Sequence, residues 1–333
     1  MTLPELLQLS GNYWSVCTLH AGVKLEVFTH LAAAPLSAAQ LARIIQADER
    51  GMDMLLNALT AMDLLNKEAD TFRATPFSAD YLSKQSDNYM GHIIMHHHHL
   101  VEGWSRLDEA VKSGSPVRRR SSHDVGGEEL ESFLMGMFNL ATHLAPRVAS
   151  NVDLAGRRRL LDLAGGPGTY AIHFCKQNPD LTAVIFDLPT TRPFAEQTIG
   201  RFGLSGRIAF RGGDITSDGI GTDYDVVWVS HLLHSEGPES SAAIVAKAAA
   251  SLNAGGLLLI QEFILDDNRA GPLHPALFSL NMLVGTPAGK AYSQGELHDM
   301  MKAAGLNSIR RLEVDLPNGA GIMAGILPIS IQG

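Results

Sequence analysis

Cysteine is nearly missing from this chain. Two residues in 333, Cys17 and Cys175, cannot build a disulfide framework, and both sit among apolar residues at helical spacing, which points to a reducing compartment. Positive charge is also scarce. Lysine and arginine total 26 against 35 aspartates and glutamates, a formal net charge of -9 at pH 7. A general affinity for nucleic acid or for anionic membrane needs a basic footprint, so both are excluded as partners. No apolar run reaches the roughly 20 residues that cross a bilayer, and the opening MTLPELLQLS lacks a basic n-region. These absences leave the expectation of a cytoplasmic protein that works on small molecules. The length accommodates a full α/β domain plus a smaller one.

What is present is organised around residues 160–188, LLDLAGGPGTYAIHFCKQNPDLTAVIFDL. The apolar run ending at Ala164 reads as a buried parallel strand that empties into Gly165, Gly166, Pro167 and Gly168. Those glycines let backbone approach a ligand closely. Thr169 to Gln177 has helical spacing, Asn178-Pro179 stops it, and Thr182 to Phe186 is a second strand ending at Asp187. This is half of a nucleotide-binding βαβ unit. The letters Gly166-x-Gly168-x-x-Ala171 with Asp187 also satisfy the dinucleotide fingerprint. Asp162 argues against that ligand, because a carboxylate ahead of the glycines repels a pyrophosphate and favours a cation. A nucleoside with an ammonium, a sulfonium and no phosphate suits it better, and S-adenosylmethionine is such a molecule.

From Leu3 to about Lys112 nearly every segment reads as helix. Ser37 caps a short helix, a second begins near Glu49, and a charged hairpin at Lys67-Glu68 ends at Thr75-Pro76, which is winged-helix grammar. A DNA-reading helix needs Arg or Lys, and ERGMDMLLNALTAMDLL offers only Arg50, so a packing helix is the better reading. Leu55, Leu56, Leu59, Met62 and Leu65, with Tyr13, Trp14 and Leu19, look like more apolar surface than one small domain hides, which predicts a dimer interface. The run 87–114 reads as one helix carrying five histidines, with His92, His96 and His99 on one face. No carboxylate or cysteine accompanies them at tight ligand spacing, so helix-surface and pocket-lining roles are expected over a metal site. Ser115 to Gly127 reads as a loop in which Arg118 to Arg120 are solvated. Glu128 to Val152 is helical, with Phe133, Met137, Leu140 and Leu144 on one side. Strands and helices then alternate as βαβα to Phe263, implying a parallel sheet; a loop rich in Gly and Pro leads to a helix at Ser293 to Ala304, and two short final strands suggest an antiparallel edge.

In order and spacing, LLDLAGGPG, FDLP, GGDI, SHLLHSEGPE, QEFIL and PAGKAYSQGELHDMMKAAGL resemble the motif series of the S-adenosylmethionine-dependent O-methyltransferases of the caffeate and hydroxyindole type. The match runs over nearly the whole chain. The resemblance implies an α/β fold, a seven-stranded Rossmann-like sheet preceded by an all-α winged-helix-like dimerisation domain. It implies residues 1–115 for dimerisation, 116–152 as linker and connecting helix, and 153–333 for the cofactor. Asp162, Gly165, Gly166 and Gly168 would cradle the methionine part, Asp187 and Leu188 the ribose, and Asp214 with Ile215 the adenine. Ser230 would lie by the cofactor. His234 falls on the family's general base and Glu262 on an acid that holds it; Lys290 and Ala291 stand where plant members have a second acid.

The implied reaction is methyl transfer from S-adenosylmethionine to a hydroxyl of a small, aromatic or enolic acceptor, by a homodimer that binds neither nucleic acid nor membrane and uses no metal. The acceptor pocket is expected from His96, His99, Trp104, Met137, Asn139, His143, Phe278 and Met282. Two rivals stand beside it: methylation at carbon or sulfur of a larger metabolite such as a tetrapyrrole or polyene, and a winged-helix regulator that senses the nucleotide.

Overall fold

A computed structural model of the chain describes residues 1–120 and 125–329. Contacts divide it into two compact units, one made of Met1–Val101 with Gly126–Asn139 and the other of the remaining described chain. The division falls inside two long helices, not around a linker at 116–152; the centre of that expected linker, residues 121–124, lies outside the described residues.

The first unit opens with α1 (Leu3–Gly11), α2 (Tyr13–Lys24) and α3 (Val27–Ala33), followed by β1 (Leu36–Ser37), α4 (Ala38–Ile45), α5 (Glu49–Ala61), β2 (Leu65–Glu68), β3 (Thr71–Ala74) and α6 (Pro76–Tyr81). It also takes most of α7 (Gly91–Trp104), while α8 (Leu107–Ser113) belongs to the second unit and α9 (Gly127–Asn151) is shared. The 87–114 segment is therefore two helices, broken at Ser105–Arg106, where one was expected. Local chemistry sets the boundaries. Ser37 and Gln40 form a capping box on α4, Asp48 caps α5, and Thr75 caps α6 with proline in its first turn. The small antiparallel sheet runs β1-β3-β2, completing the winged-helix pattern. Phe28, Leu31, Leu41, Leu56, Leu59 and Phe72 are fully buried in one core. Leu56, Leu59 and Leu65 are thus satisfied within their own unit, while Leu55 and Met62 stay half-buried and Met54 is exposed, so the surplus on α5 is smaller than expected. Exposed apolar side chains are densest on α1, which buries no residue, and on α2, where Tyr13 and Trp14 are 63% and 69% exposed, with Ile44, Met54 and Phe77 exposed singly elsewhere.

The second unit carries β4 (Arg159–Leu163), α10 (Thr169–Gln177), β5 (Thr182–Asp187), α11 (Arg192–Arg201), β6 (Ile208–Gly212), β7 (Tyr224–Ser230), α12 (Pro238–Ala250), β8 (Leu252–Phe263), α13 (Leu273–Gly285), α14 (Gln294–Ala303), β9 (Asn307–Arg311) and β10 (Ala320–Ile326). Its seven-stranded sheet has the order β6-β5-β4-β7-β8-β10-β9. The first five strands are parallel, and β10 runs antiparallel to both β8 and β9. Apolar cores cover both faces, one around Phe174 and Trp228, the other around Val227, Ile244 and Leu258. The strand order reverses between β4 and β7, and the crevice beyond the carboxyl ends at such a reversal is where α/β sheets bind ligands.

Three local expectations need correction. α13 occupies a stretch expected to be loop: Pro275 sits in its first turn, where the missing N–H breaks no helical bond. On α9 the buried stripe is Leu134, Phe138, Ala145 and Val148, one position round from the face expected. Arg120 is not solvated, since it pairs with Glu236 and Ser235.

Candidate active site

The glycine turn is shaped by two carboxylates. Asp162, at the end of β4, is only 1% exposed and lies beneath Gly165, where a Cβ would come 2.6 Å from its Cγ. Its Oδ2 accepts the backbone N–H of Ala171 at 3.2 Å, while Oδ1 is buried without a hydrogen-bond partner. Burial pushes its pKa up to about 7, against the opposing pull of that N–H. The carboxylate expected just ahead of the glycines lies under the floor of their turn. Gly168, at φ +80°, abuts Ile185, so two of the three glycines are required by protein neighbours. Gly166 alone faces open space.

Asp187 closes the turn from β5. Its Oδ2 accepts from Gly166 N at 2.7 Å, and its Oδ1 accepts from Leu188 N at 2.6 Å and from the Thr191 hydroxyl at 3.0 Å. Asp214 and Ile215 follow β6, where Asp214 Oδ1 accepts from the amide and hydroxyl of Thr216. Ser230 ends β7. The sheet thus brings Asp162, Gly166, Asp187, Leu188, Asp214 and Ser230 to the carboxyl ends of four adjacent strands.

His234 stands on a short 3-10 turn after β7, and Glu262 is near the end of the neighbouring β8. The turn is pinned by the His234 backbone N–H on Glu262 Oε1 at 3.3 Å and by Ser241 Oγ donating to the Leu233 carbonyl at 3.0 Å. Tyr292 donates to the Glu236 carbonyl at 2.8 Å, and the part-buried Arg120 pairs with the Glu236 side chain at 2.5 Å. His234 Nδ1 meets Glu262 Oε2 at 2.7 Å. A carboxylate only accepts, so that bond places the ring proton on Nδ1 and leaves the Nε2 lone pair available as a base. Glu262 is 1% exposed, and although burial alone would raise its pKa, His234 and His231 outweigh it and hold the carboxyl well below its usual range. Phe278, from α13, meets the His234 ring edge-on at 4.7 Å and continues to Phe263 at 4.8 Å. Nearby on α13, Asn281 accepts the Trp104 indole N–H at 3.1 Å, and Met282 is buried.

The other expected pocket residues have separate surroundings. Asn139 donates to the Tyr89 carbonyl at 2.8 Å, a structural bond. His96 is buried against Phe133, His99 and Met137 are half-buried, and His143 is exposed. His98 lies 3.3 Å from the Lys24 ammonium and edge-on to the buried His20. Among the described residues the histidine tract brings no three ligating side chains together. His231, His234 and Glu262 do converge, but the 2.7 Å contact there is a direct hydrogen bond. Ala291 is buried, and Lys290 is paired with Glu296 at 2.7 Å, so no acid stands at those positions.

Sequence reasoning passed over Tyr170 and Gln261. Gln261 Nε2 donates to the Tyr170 hydroxyl at 2.9 Å and contacts His231 Nε2 at 3.1 Å. Their only signal was adjacency: Tyr170 follows the glycines and Gln261 precedes Glu262.

An O-methyltransferase domain model matches residues 113–307, and an O-methyltransferase dimerisation model matches residues 7–84. The chain belongs to the O-methyltransferase family. It is similar to a 3-hydroxy-5-methyl-1-naphthoate 3-O-methyltransferase of Streptomyces sahachiroi, 33% identical over 97% of this chain and 95% of the relative. It is also similar to the tetracenomycin polyketide synthesis 8-O-methyl transferase TcmO of Streptomyces glaucescens, 29% identical over 96% and 95%. Among solved structures, an O-methyltransferase family protein from Burkholderia thailandensis superposes with a TM-score of 0.88 at 30% identity, covering 99% of each chain. This methyltransferase is S-adenosylmethionine-dependent and has a small-molecule acceptor. The site fits the cofactor: the space at Gly166 admits a ligand at backbone level, above a buried Asp162 whose Oδ1 has no hydrogen-bond partner.

Proposed function

We propose that this methyltransferase acts on a hydroxyl of a small aromatic or enolic acceptor, with His234 as the general base. The observation that carries this reading is the 2.7 Å bond from His234 Nδ1 to the buried Glu262, which leaves Nε2 free at the ligand-binding edge of the sheet. Phe278 and Phe263 beside that ring supply a wall for a planar acceptor. S-adenosylmethionine supplies an electrophilic methyl group with a good leaving group already attached. The protein's part is alignment, worth about 7–11 kcal/mol, and removal of the hydroxyl proton, worth about 10²–10⁴-fold. His234 Nε2 takes that proton, and Glu262 stabilises the imidazolium that results. Asp162 and the Gly165–Gly168 turn hold the cationic amino-acid end, Asp187 and Leu188 the ribose, Asp214 and Ile215 the adenine, and Ser230 lies beside them. Trp104, Phe278 and Met282 belong to the acceptor side.

The functional unit is a homodimer formed through α1 and α2, whose exposed Leu3, Leu7, Tyr13 and Trp14 support it together with the dimerisation-domain match. No helix among the described residues is long and apolar enough to cross a membrane, and a cytoplasmic setting is consistent with the reduced cysteines. The test is methyl uptake from labelled cofactor across hydroxynaphthoates, catechols, quinols and simple alcohols. Methyl ethers of the aromatic hydroxyls are expected. Label on carbon or sulfur alone, or only on aliphatic alcohols, would overturn the assignment.

A further inference from the structure

Glu262 has a second histidine. His231 Nδ1 is buried, has no hydrogen-bond partner, and lies 3.7 Å from the same Oε2 that His234 holds at 2.7 Å. The first contact is an electrostatic one, longer than a hydrogen bond. The ring is placed deliberately. His231 follows β7 with φ +52°, a left-handed conformation unusual for a non-glycine residue and typical of functional sites when the surroundings enforce it. Its backbone N–H is fixed on the Gln261 carbonyl at 2.9 Å, and its ring lies 4.4 Å from that of Phe263.

The polar chain behind it sets the tautomer. Gln261, fully buried, directs its amide nitrogen at both the Tyr170 hydroxyl and His231 Nε2. With a donor at Nε2, the His231 proton is on Nδ1 and faces Glu262. The opposite amide orientation would turn a nitrogen lone pair onto a carboxylate, which is repulsive. The ionisable groups around the trio are Tyr170 from α10, pushed up to about 12 by burial, His274 from α13, lowered by burial and by His231, and Tyr292, raised by burial with Glu262 a lesser cause. Among the described residues the charged partners that compensate Glu262 are the two histidines.

A lone buried carboxylate at 2.7 Å would draw a proton onto the base and leave it spent before the acceptor arrives. We propose that His231 is a positioning residue that shares Glu262 with His234, so that the carboxylate orients the His234 ring while its pull on that ring's proton is divided between two histidines. It takes the place of the second acid absent at Lys290 and Ala291, with opposite electrical effect: it moderates the carboxylate where a second acid would reinforce it. This rests on His234 being the base.

The experiment follows the His234 ring by NMR in full-length protein saturated with S-adenosylhomocysteine, its resonance identified by its loss in His234→Ala. In His231→Leu, which removes the N–H, the ring's titration midpoint should rise by about one pH unit, a tenfold change in proton affinity. In His231→Asn, whose amide nitrogen replaces Nδ1, it should stay near wild type. The acid limb of kcat on a hydroxynaphthoate should move with it, while cofactor affinity holds. Coincident midpoints in wild type and His231→Leu, or a fall, overturn the proposal, as does an Asn variant that behaves like Leu. Undiminished turnover in His234→Ala would instead overturn the base assignment itself, so the two failures are distinct.

Discussion

Asp162 should make the ligand-free protein less stable as pH rises through neutrality. Its carboxyl is buried with Oδ1 unpartnered, and its pKa is raised from 3.8 to about 7. The folded chain therefore holds this proton more tightly than the unfolded chain does, and between pH 3.8 and about 7 stability falls as pH rises, with the full cost present above that window. Roughly three units correspond to ~4 kcal/mol, an upper bound on the cost of keeping a charged carboxylate there. Asp162→Asn retains an oxygen for the Ala171 N–H and cannot ionise. At pH 5 the variant should exceed wild type by less than half of that amount, and at pH 8 by up to all of it, on the order of 10 °C in Tm. Differential scanning fluorimetry of both proteins without ligand, from pH 5 to 9, measures the gap. The cofactor side runs the other way: wild type should bind S-adenosylmethionine more tightly at pH 8 than at pH 6, and the variant should bind weakly at both. A Tm difference that does not widen with pH would refute the reasoning.

Gly168→Ala drives a Cβ into Ile185 Cδ1 in a residue at φ +80°, so it should cost about 1–3 kcal/mol and most of the cofactor affinity by calorimetry. Ile185→Ala added to it should return only part of the loss, because the φ remains wrong. Leu7→Asp with Trp14→Asp should convert a dimer to monomers by light scattering without loss of helical circular dichroism, since both side chains are exposed within the chain. A dimer that survives the pair would place the interface elsewhere.

The parts legible in the sequence were those where local chemistry and global fold agree. The glycine turn between two apolar strands, the Ser37 cap, the helix start near Glu49 and the β2–β3 hairpin are each fixed by a few neighbouring residues. Placing Glu262 beside His234 needed the order of β7 and β8, which the motif series supplied. What was illegible depended on tertiary packing. α13 was hidden by prolines that break strands and helices elsewhere but are harmless in a first turn. Leu56 and Leu59 looked surplus because the facing Phe28, Leu31 and Phe72 come from distant segments. The depth of Asp162 was not legible because sequence gives none, and Arg120 read as solvated because its partner Glu236 is over a hundred positions away. His231 was visible as a letter, but its claim on Glu262 is a matter of 3.7 Å.

The central claim is that His234 removes the acceptor proton in a pocket already aligned by the rest of the site. The most direct measurement is kcat of His234→Ala on a hydroxynaphthoate at saturating S-adenosylmethionine, with cofactor affinity measured on the same protein. A fall of about 10²–10⁴ in kcat with cofactor affinity unchanged is predicted. A near-normal kcat across the neutral range would contradict the account, and would mean that proximity alone carries the reaction.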